Sequence, residues 1–121
     1  MEWRFVWQTR VSLDLERMSE VAALMRGVQD FGAFGTPELG RSPLREMSGV
    51  QVRREGDYVK IVCRANAFLR HMARGVVGGL VDVGTGRRAV EDVRTALQTG
   101  RAVPAFTVAP PNGLCLVAVE Y

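Results

Sequence analysis

Residues 47–62, MSGVQVRREGDYVKIV, decide the fold of this chain because they predict two β-strands joined by a short turn. The polar stretch 53–57 contains a glycine and an aspartate, which are common in turns. Apolar residues stand on both sides of it, as expected for two paired strands. These residues are Met47, Val50, Val52, Tyr58, Val59, Ile61 and Val62. The segment therefore predicts a β-hairpin.

An amphipathic helix is predicted on each side of the hairpin. After it, residues 67–83 place an apolar stripe on one helical face. Before it, apolar residues from Leu15 to Met25 recur at intervals of three and four, behind a candidate cap at Asp14. The two stripes comprise Leu69, Met72, Val76, Leu80 and Val83 in one helix, and Leu15, Met18, Ala22 and Met25 in the other. Both helices are expected to pack on the sheet.

The outer parts of the chain complete an α+β domain. A strand is predicted at residues 4–8, an irregular connection at 32–43, a shorter helix at 90–97 closed by Gly100, and a last strand at 114–119. The resulting order, β-α-β-β-α-(α)-β, predicts a ferredoxin-like antiparallel sheet with helices on one face. We expect residues 1–121 to form a single domain.

Composition and charge narrow the function classes only slightly. Hydrophobic residues make up 47% and charged residues 24% of the 121 residues, which is typical of a packed protein rather than a disordered one. No segment approaches the ~20 apolar residues that span a bilayer, so a cytoplasmic location without membrane contact is expected. Cys63 and Cys115 are expected to be packed thiols. A net charge of +3, carried almost entirely by arginine, is compatible with nucleic-acid binding but does not require it.

The segment 66–80 is unusual because it combines basic residues with three glycines in a predicted helix. Each helical glycine costs about 1 kcal/mol relative to alanine, so close approach of another backbone is the simplest compensation. Arg74 has no acidic neighbour three or four residues away. Alternatives remain open: Arg70 and Arg74 as solvated charges, His71 as a packed or hydrogen-bonded side chain, and the glycines as contacts to the domain's own sheet.

Several short motifs, in order and spread over nearly the whole chain, resemble the tRNA pseudouridine synthase A family. The most specific is FLRHMAR at 68–74. The others are LDLERM at 13–18, GVQDFGAF at 27–34, VG at 77–78, VGTGR at 83–87 and APPNGL at 109–114. One departure is Gln29, where the family usually has histidine, and a second is the loosely similar segment 101–108.

The resemblance implies the C-terminal half of a two-domain isomerase that converts uridine to pseudouridine in the tRNA anticodon arm without metal or cofactor. It implies that Arg74 pairs with a catalytic aspartate of the N-terminal half, within a Gly-Arg-Thr-Asp stretch. No Arg-Thr-Asp sequence occurs in this chain. Leu114 would lie against the target uracil. Arg70, Arg87 and Arg88 are candidates for phosphate contacts.

Two hypotheses follow for the chain as a whole. It is either half of an isomerase, inactive until it meets an N-terminal half in cis or in trans, or a non-catalytic RNA-binding or assembly module. Whether the chain alone is an enzyme stays open at this point. The face that meets the other half is expected to be apolar, which predicts self-association into a homodimer or another homo-oligomer.

Overall fold

A computed structural model describes residues 2–8, 12–109 and 115–120. In this part of the chain, five strands form one antiparallel sheet in the order β2-β3-β4-β1-β5, accompanied by three helices. The α+β, ferredoxin-like prediction is confirmed. The elements are β1 Glu2–Gln8, α1 Leu15–Leu24, β2 Gly27–Asp30, β3 Leu44–Glu55, β4 Tyr58–Ala65, α2 Met72–Gly84, α3 Val90–Thr99 and β5 Cys115–Glu120.

The predicted hairpin is confirmed as β3 and β4. Glu55 pairs with Tyr58 at its closed end, and Gly56 has a φ of 62° in the turn between them. Glycine adopts this left-handed conformation without the steric cost that a side chain would bring. The buried residues of the two strands lie on one face, and the register of β3 shifts between Met47 and Gly49. They are Met47, Val50, Val59, Ile61, Cys63 and Ala65. One face of the hairpin therefore forms the floor of the hydrophobic core.

The helices cover this buried face. Asp14 caps α1 by accepting a hydrogen bond from the backbone N–H of Arg17 at 3.1 Å, as predicted for the start of the helix. Met18 and Val21 of α1 are fully buried, and α1 contacts β3, α2 and α3. Gly100, with a φ of 71°, ends α3.

Among its described side chains, the open face of the sheet carries several charged ones beside Gln51 and Val62. Arg53, Lys60 and Arg64 alternate with the buried positions of β3 and β4, and Arg64 and Arg4 both form ion pairs with the buried carboxylate of Glu2. This part of the open face is therefore not predominantly apolar, and the expectation that an apolar face meets another half stays a prediction. Self-association stays a prediction.

The fold differs from the sequence predictions in two features, an additional strand and the start of the second helix. An additional edge strand, β2, pairs with the start of β3, where Asp30 lies opposite Leu44. It was missed because its residues lack apolar alternation, and Val28 is 65% exposed. The second helix begins at Met72 rather than at residue 67, because the backbone of Arg70 pairs with Thr36 and His71 adopts a φ of 62°.

No helix within the described ranges is long and apolar enough to cross a membrane.

Candidate functional site

Two glycines of α2, Gly75 and Gly78, are covered by backbone from two other segments. A Cβ atom on Gly75 would lie 2.0 Å from the carbonyl oxygen of Phe34, and one on Gly78 would lie 1.6 Å from that of Thr107. Neither distance is possible for a real side chain, so no other residue fits at either position. The predicted close approach of another backbone is confirmed. It comes from two loops, at residues 32–36 and 106–109.

The loop 106–109 is held along α2 at intervals of four residues. The carboxylate of Asp82 accepts the backbone N–H of Thr107 at 2.8 Å, and the Thr107 carbonyl lies against Gly78. One turn further towards the start of the helix, the backbone N–H of Ala109 donates to the carbonyl of Arg74 at 3.1 Å. The contacts at positions 74, 78 and 82 lie on one helical face. They fix the path of the chain up to Ala109.

Arg74 is half-buried, and this loop orients its side chain. Its Nε donates to the carbonyl oxygen of Ala109 at 2.8 Å. None of the ion pairs found in the described ranges includes Arg74. The guanidinium also lines a shallow depression with residues 32–36, His71 and Val108. An oriented guanidinium whose terminal nitrogens lack a carboxylate partner here can receive an anion from outside the domain.

Arg70 and His71 precede α2 rather than lying on it; His71 lines this depression, and Arg70 lies beside it. Both side chains are exposed, and the Arg70 backbone exchanges two hydrogen bonds with Thr36, at 2.9 and 3.2 Å. His71 precedes α2 and makes no side-chain capping hydrogen bond. His71 is exposed, so the alternative of a packed side chain is wrong, and that of a hydrogen-bonded side chain stays open.

Arg87 and Arg88 lie at the other end of α2, beside the start of the same loop. Arg87 is 4.0 Å from the Asp82 carboxylate and 3.4 Å from the Thr107 hydroxyl, with its side chain 71% exposed. The side chain of Arg88 is only 16% exposed. Its guanidinium bonds the carboxylate of Asp92 and the carbonyl of Pro104, and it stacks over the ring of Phe106 at 4.4 Å. Arg88 therefore has a structural function, and its contact to phosphate stays a prediction.

Two positions that the sequence analysis singled out remain, Leu114 and Gln29. Leu114 lies outside the described residues. Gln29, the departure from the family pattern, donates from its side-chain amide to the backbone carbonyl of Arg26 at 2.9 Å and to that of Leu24. These contacts satisfy carbonyls at the end of α1, which gives Gln29 a local structural explanation.

Cys63 is packed, as predicted, and burial raises the pKa of its thiol to about 12. Over the ranges that the structure covers, no group of three His, Cys, Asp or Glu side chains is arranged to hold a metal ion.

Sequence reasoning missed Asp82, Arg41 and Arg45. Asp82 had a usable signal, because it is an acidic residue inside an otherwise apolar helical segment. Arg41 and Arg45 lie in or beside the irregular segment, where spacing predicts no spatial neighbours. In the structure, both line a depression together with Arg70 and His71.

Comparisons with known proteins show the family to which the chain belongs. A family model described as tRNA pseudouridine synthase matches residues 21–121. The chain belongs to this family. It is similar to proteins named tRNA pseudouridine synthase A from Acidiphilium cryptum, with 42% identity over 97% of this chain and 46% of the relative. The corresponding protein of Afipia carboxidovorans is 40% identical over 95% of this chain and 47% of its own length. That of Brucella anthropi is 34% identical over 100% and 49%.

The chain thus spans about half the length of the curated relatives that it matches.

Proposed function

We propose that this chain is the C-terminal domain of a tRNA pseudouridine synthase, which isomerises uridine to pseudouridine in the anticodon arm. In this proposal it supplies Arg74 to an active site completed by an N-terminal half, in cis or in trans, and is inactive alone. The observation that carries the proposal is the state of Arg74: it is half-buried and oriented by Ala109, and it lacks a carboxylate partner among the described residues.

Arg74 is suited to position a catalytic aspartate. A bidentate contact from a guanidinium fixes the orientation of a carboxylate, and the adjacent positive charge keeps it ionised. The Nε of Arg74 is already used by Ala109, so the terminal nitrogens would meet the aspartate. Because the guanidinium is held before the partner arrives, little side-chain entropy is lost when the pair forms.

The remaining assignments belong to the same proposal. Leu114 would contact the uracil as an apolar surface. It follows five residues after Ala109, and the hydrogen bonds to α2 fix the path of the chain up to Ala109 only. Arg70 and Arg87, whose side chains are exposed, are the better placed phosphate contacts. Arg88 would contact phosphate only through the guanidinium N–H groups that are not bonded to Asp92 or Pro104. The reaction would need no metal or organic cofactor and would take place in the cytoplasm, and the protein would form a homo-oligomer.

The proposal is tested by reconstitution. The chain is mixed with the N-terminal half of the Acidiphilium cryptum relative and with tRNA tritiated at C5 of uridine. Isomerisation breaks the C5–H bond, so release of tritium into water reports the reaction. We expect release only when both halves are present. Arg74→Ala should abolish it, and Arg94→Ala, which removes an exposed arginine paired with Glu91, should not.

Two outcomes would count against the proposal. Activity that survives Arg74→Ala would refute the proposed role of Arg74. If no N-terminal half restores activity although the chain binds tRNA, the alternative of a non-catalytic RNA-binding module would be favoured.

A further inference from the structure

We propose that Asp82 is a positioning residue for Arg74 and acts on it through the loop 106–109. The inference rests on the proposed function, because it takes Arg74 as the arginine that meets the carboxylate of the N-terminal half. Asp82 lies eight residues after Arg74 in α2, which is about 12 Å along the helix axis. The two side chains are therefore connected by a path of contacts rather than by a direct one.

The carboxylate of Asp82 occupies a place that disfavours a charge. Its side chain is 5% exposed and lies in the last turn of α2, where the helix dipole repels negative charge. A buried carboxylate lowers stability unless hydrogen bonds or a cation offset the loss of water. In the described ranges, the groups that do so are the backbone N–H of Thr107 at 2.8 Å and the guanidinium of Arg87 at 4.0 Å. Arg87 also donates to the Thr107 hydroxyl, so both groups join the carboxylate to the loop.

The loop depends on this attachment, because residues 105–109 belong to no helix or strand. Thr107 is bonded to Asp82, and two residues later Ala109 is bonded to Arg74 in two ways. The Ala109 N–H donates to the Arg74 carbonyl at 3.1 Å, and the Ala109 carbonyl accepts the Arg74 Nε–H at 2.8 Å. Two residues span at most about 7 Å of chain. A displacement of Thr107 is therefore transmitted to the carbonyl that orients Arg74.

The carbonyl of Ala109 determines which way the Arg74 guanidinium faces. A free arginine side chain populates many rotamers, whereas the bond from Nε fixes the guanidinium plane and leaves the terminal nitrogens for a partner carboxylate. A misplacement of about 1 Å in an active site costs roughly 10²-fold in rate. Release of the loop should therefore slow the chemical step. It should not weaken tRNA binding, since the buried Asp82 side chain is not available to contact RNA.

The competing interpretation is that Asp82 stabilises the fold and has no specific effect on Arg74. In that case, loss of the carboxylate would lower the free energy of unfolding but would leave the bond between Arg74 and Ala109 intact in every molecule that stays folded. A measurement on Arg74 itself therefore separates the two interpretations, whereas a measurement of stability alone does not.

The test follows the Nε–H of Arg74 in the folded chain by proton–nitrogen NMR, with the signal assigned by its loss in Arg74→Lys. The exchange rate of this proton with water reports the bond to Ala109, because a hydrogen-bonded N–H is protected. The variants are Asp82→Ala and the conservative Asp82→Asn, which keeps an acceptor oxygen. Val59→Ala is the control, since it opens a cavity at a fully buried position of β4, in the hairpin rather than at the loop.

We expect Asp82→Ala to raise the exchange rate about tenfold or more, Asp82→Asn to raise it about threefold or less, and Val59→Ala to leave it within about twofold. Unchanged exchange in Asp82→Ala, or an equal rise in Val59→Ala, would overturn the proposal. If Asp82→Ala does not fold, Asp82→Ser replaces it with the same expected result, because the serine hydroxyl ends one atom short of the carboxylate oxygens.

Kinetics of the reconstituted enzyme give the second readout. Asp82→Ala should lower kcat about tenfold or more while KM for tRNA stays within about twofold, and Asp82→Asn should recover most of kcat. A raised KM with unchanged kcat would contradict the positioning role, because it would indicate a contact that only binds the substrate.

Failure of the proposed function gives a different result. Faster exchange at Arg74 in Asp82→Ala, without isomerisation in any reconstituted mixture, would support the link between Asp82 and Arg74 and refute the enzyme. Isomerisation that Arg74→Ala abolishes and Asp82→Ala leaves unchanged would support the enzyme and refute the positioning role.

Discussion

Replacement of Gly78 by alanine is the most informative single perturbation, because it adds one methyl group where the backbone of Thr107 occupies the space. The ideal Cβ would lie 1.6 Å from the Thr107 carbonyl oxygen, whereas real Cβ atoms stay beyond 3.0 Å. The loop 106–109 must therefore retreat by roughly 1.4 Å or more, since a close-packed interior offers no free volume. That displacement breaks the bond from Thr107 to Asp82 and the contacts between Ala109 and Arg74.

The magnitude follows from these losses. Hydrogen bonds that involve a charged group contribute about 1.5–3 kcal/mol each, and the gain in helix propensity from alanine is about 1 kcal/mol. With partial relaxation of the loop, we expect Gly78→Ala to lower the free energy of unfolding by about 2–4 kcal/mol. Urea unfolding followed by circular dichroism measures this value.

Gly49→Ala is the matched control, since an added Cβ there meets nothing within 4 Å. Its free energy of unfolding should stay within about 0.5 kcal/mol of that of the unmodified chain. A Gly78→Ala variant as stable as this control would refute the interpretation of the glycines as backbone contacts.

Three further predictions concern buried groups. Asp82→Ala should lower the free energy of unfolding by about 1–3 kcal/mol in urea unfolding, because it leaves the Thr107 N–H without its acceptor, whereas Asp82→Asn keeps an acceptor and should cost less. The hydrogen bond from Arg64 and the neighbouring charges lower the pKa of Glu2 from its ordinary value of 4.5, so its stabilisation is present above that pH and lost as the pH falls through the lowered value. Urea midpoints against pH should show a smaller acid loss in Glu2→Gln, with a remainder from Asp92, whose pKa is lowered by the backbone N–H of Ala89. An unchanged acid loss would contradict this role of Glu2. With its pKa raised to about 12 by burial, Cys63 in a Cys115→Ser chain should resist iodoacetamide at about pH 8 until urea unfolds the protein, as mass spectrometry would detect; rapid labelling of the folded chain would contradict it.

The parts of the fold that were predictable from sequence are those with strong local signals. Asp14 at the start of α1, Gly100 at the end of α3 and Gly56 in the hairpin each act through their own backbone or cap, so the local sequence suffices. The strand β2 has no such signal. It exists because β3 extends to Leu44 and offers it a free edge, which is a tertiary effect.

The candidate site was likewise predictable only where the signal is local in sequence. The glycines and the unpaired state of Arg74 could be predicted, because both depend on residues within one helical segment. The glycines stand in that segment, and no acidic residue lies three or four positions from Arg74. The partner of Gly78, the loop at Thr107, is 29 residues away in the chain and could not be inferred from spacing. The helix start at Met72 was missed for a related reason, since the bridge between Thr36 and Arg70 joins distant segments.

We propose above all that Arg74 pairs with a carboxylate of an N-terminal half, and a double-mutant cycle tests this pairing most directly. Affinity between this chain and the N-terminal half of the Acidiphilium cryptum relative is measured by calorimetry, with Arg74→Ala on one side and Asp→Asn in its Gly-Arg-Thr-Asp stretch on the other. For a close charge pair we expect a coupling energy of about 1.5 kcal/mol or more. Additive losses from the two substitutions, with no coupling, would show that this arginine and that aspartate do not meet.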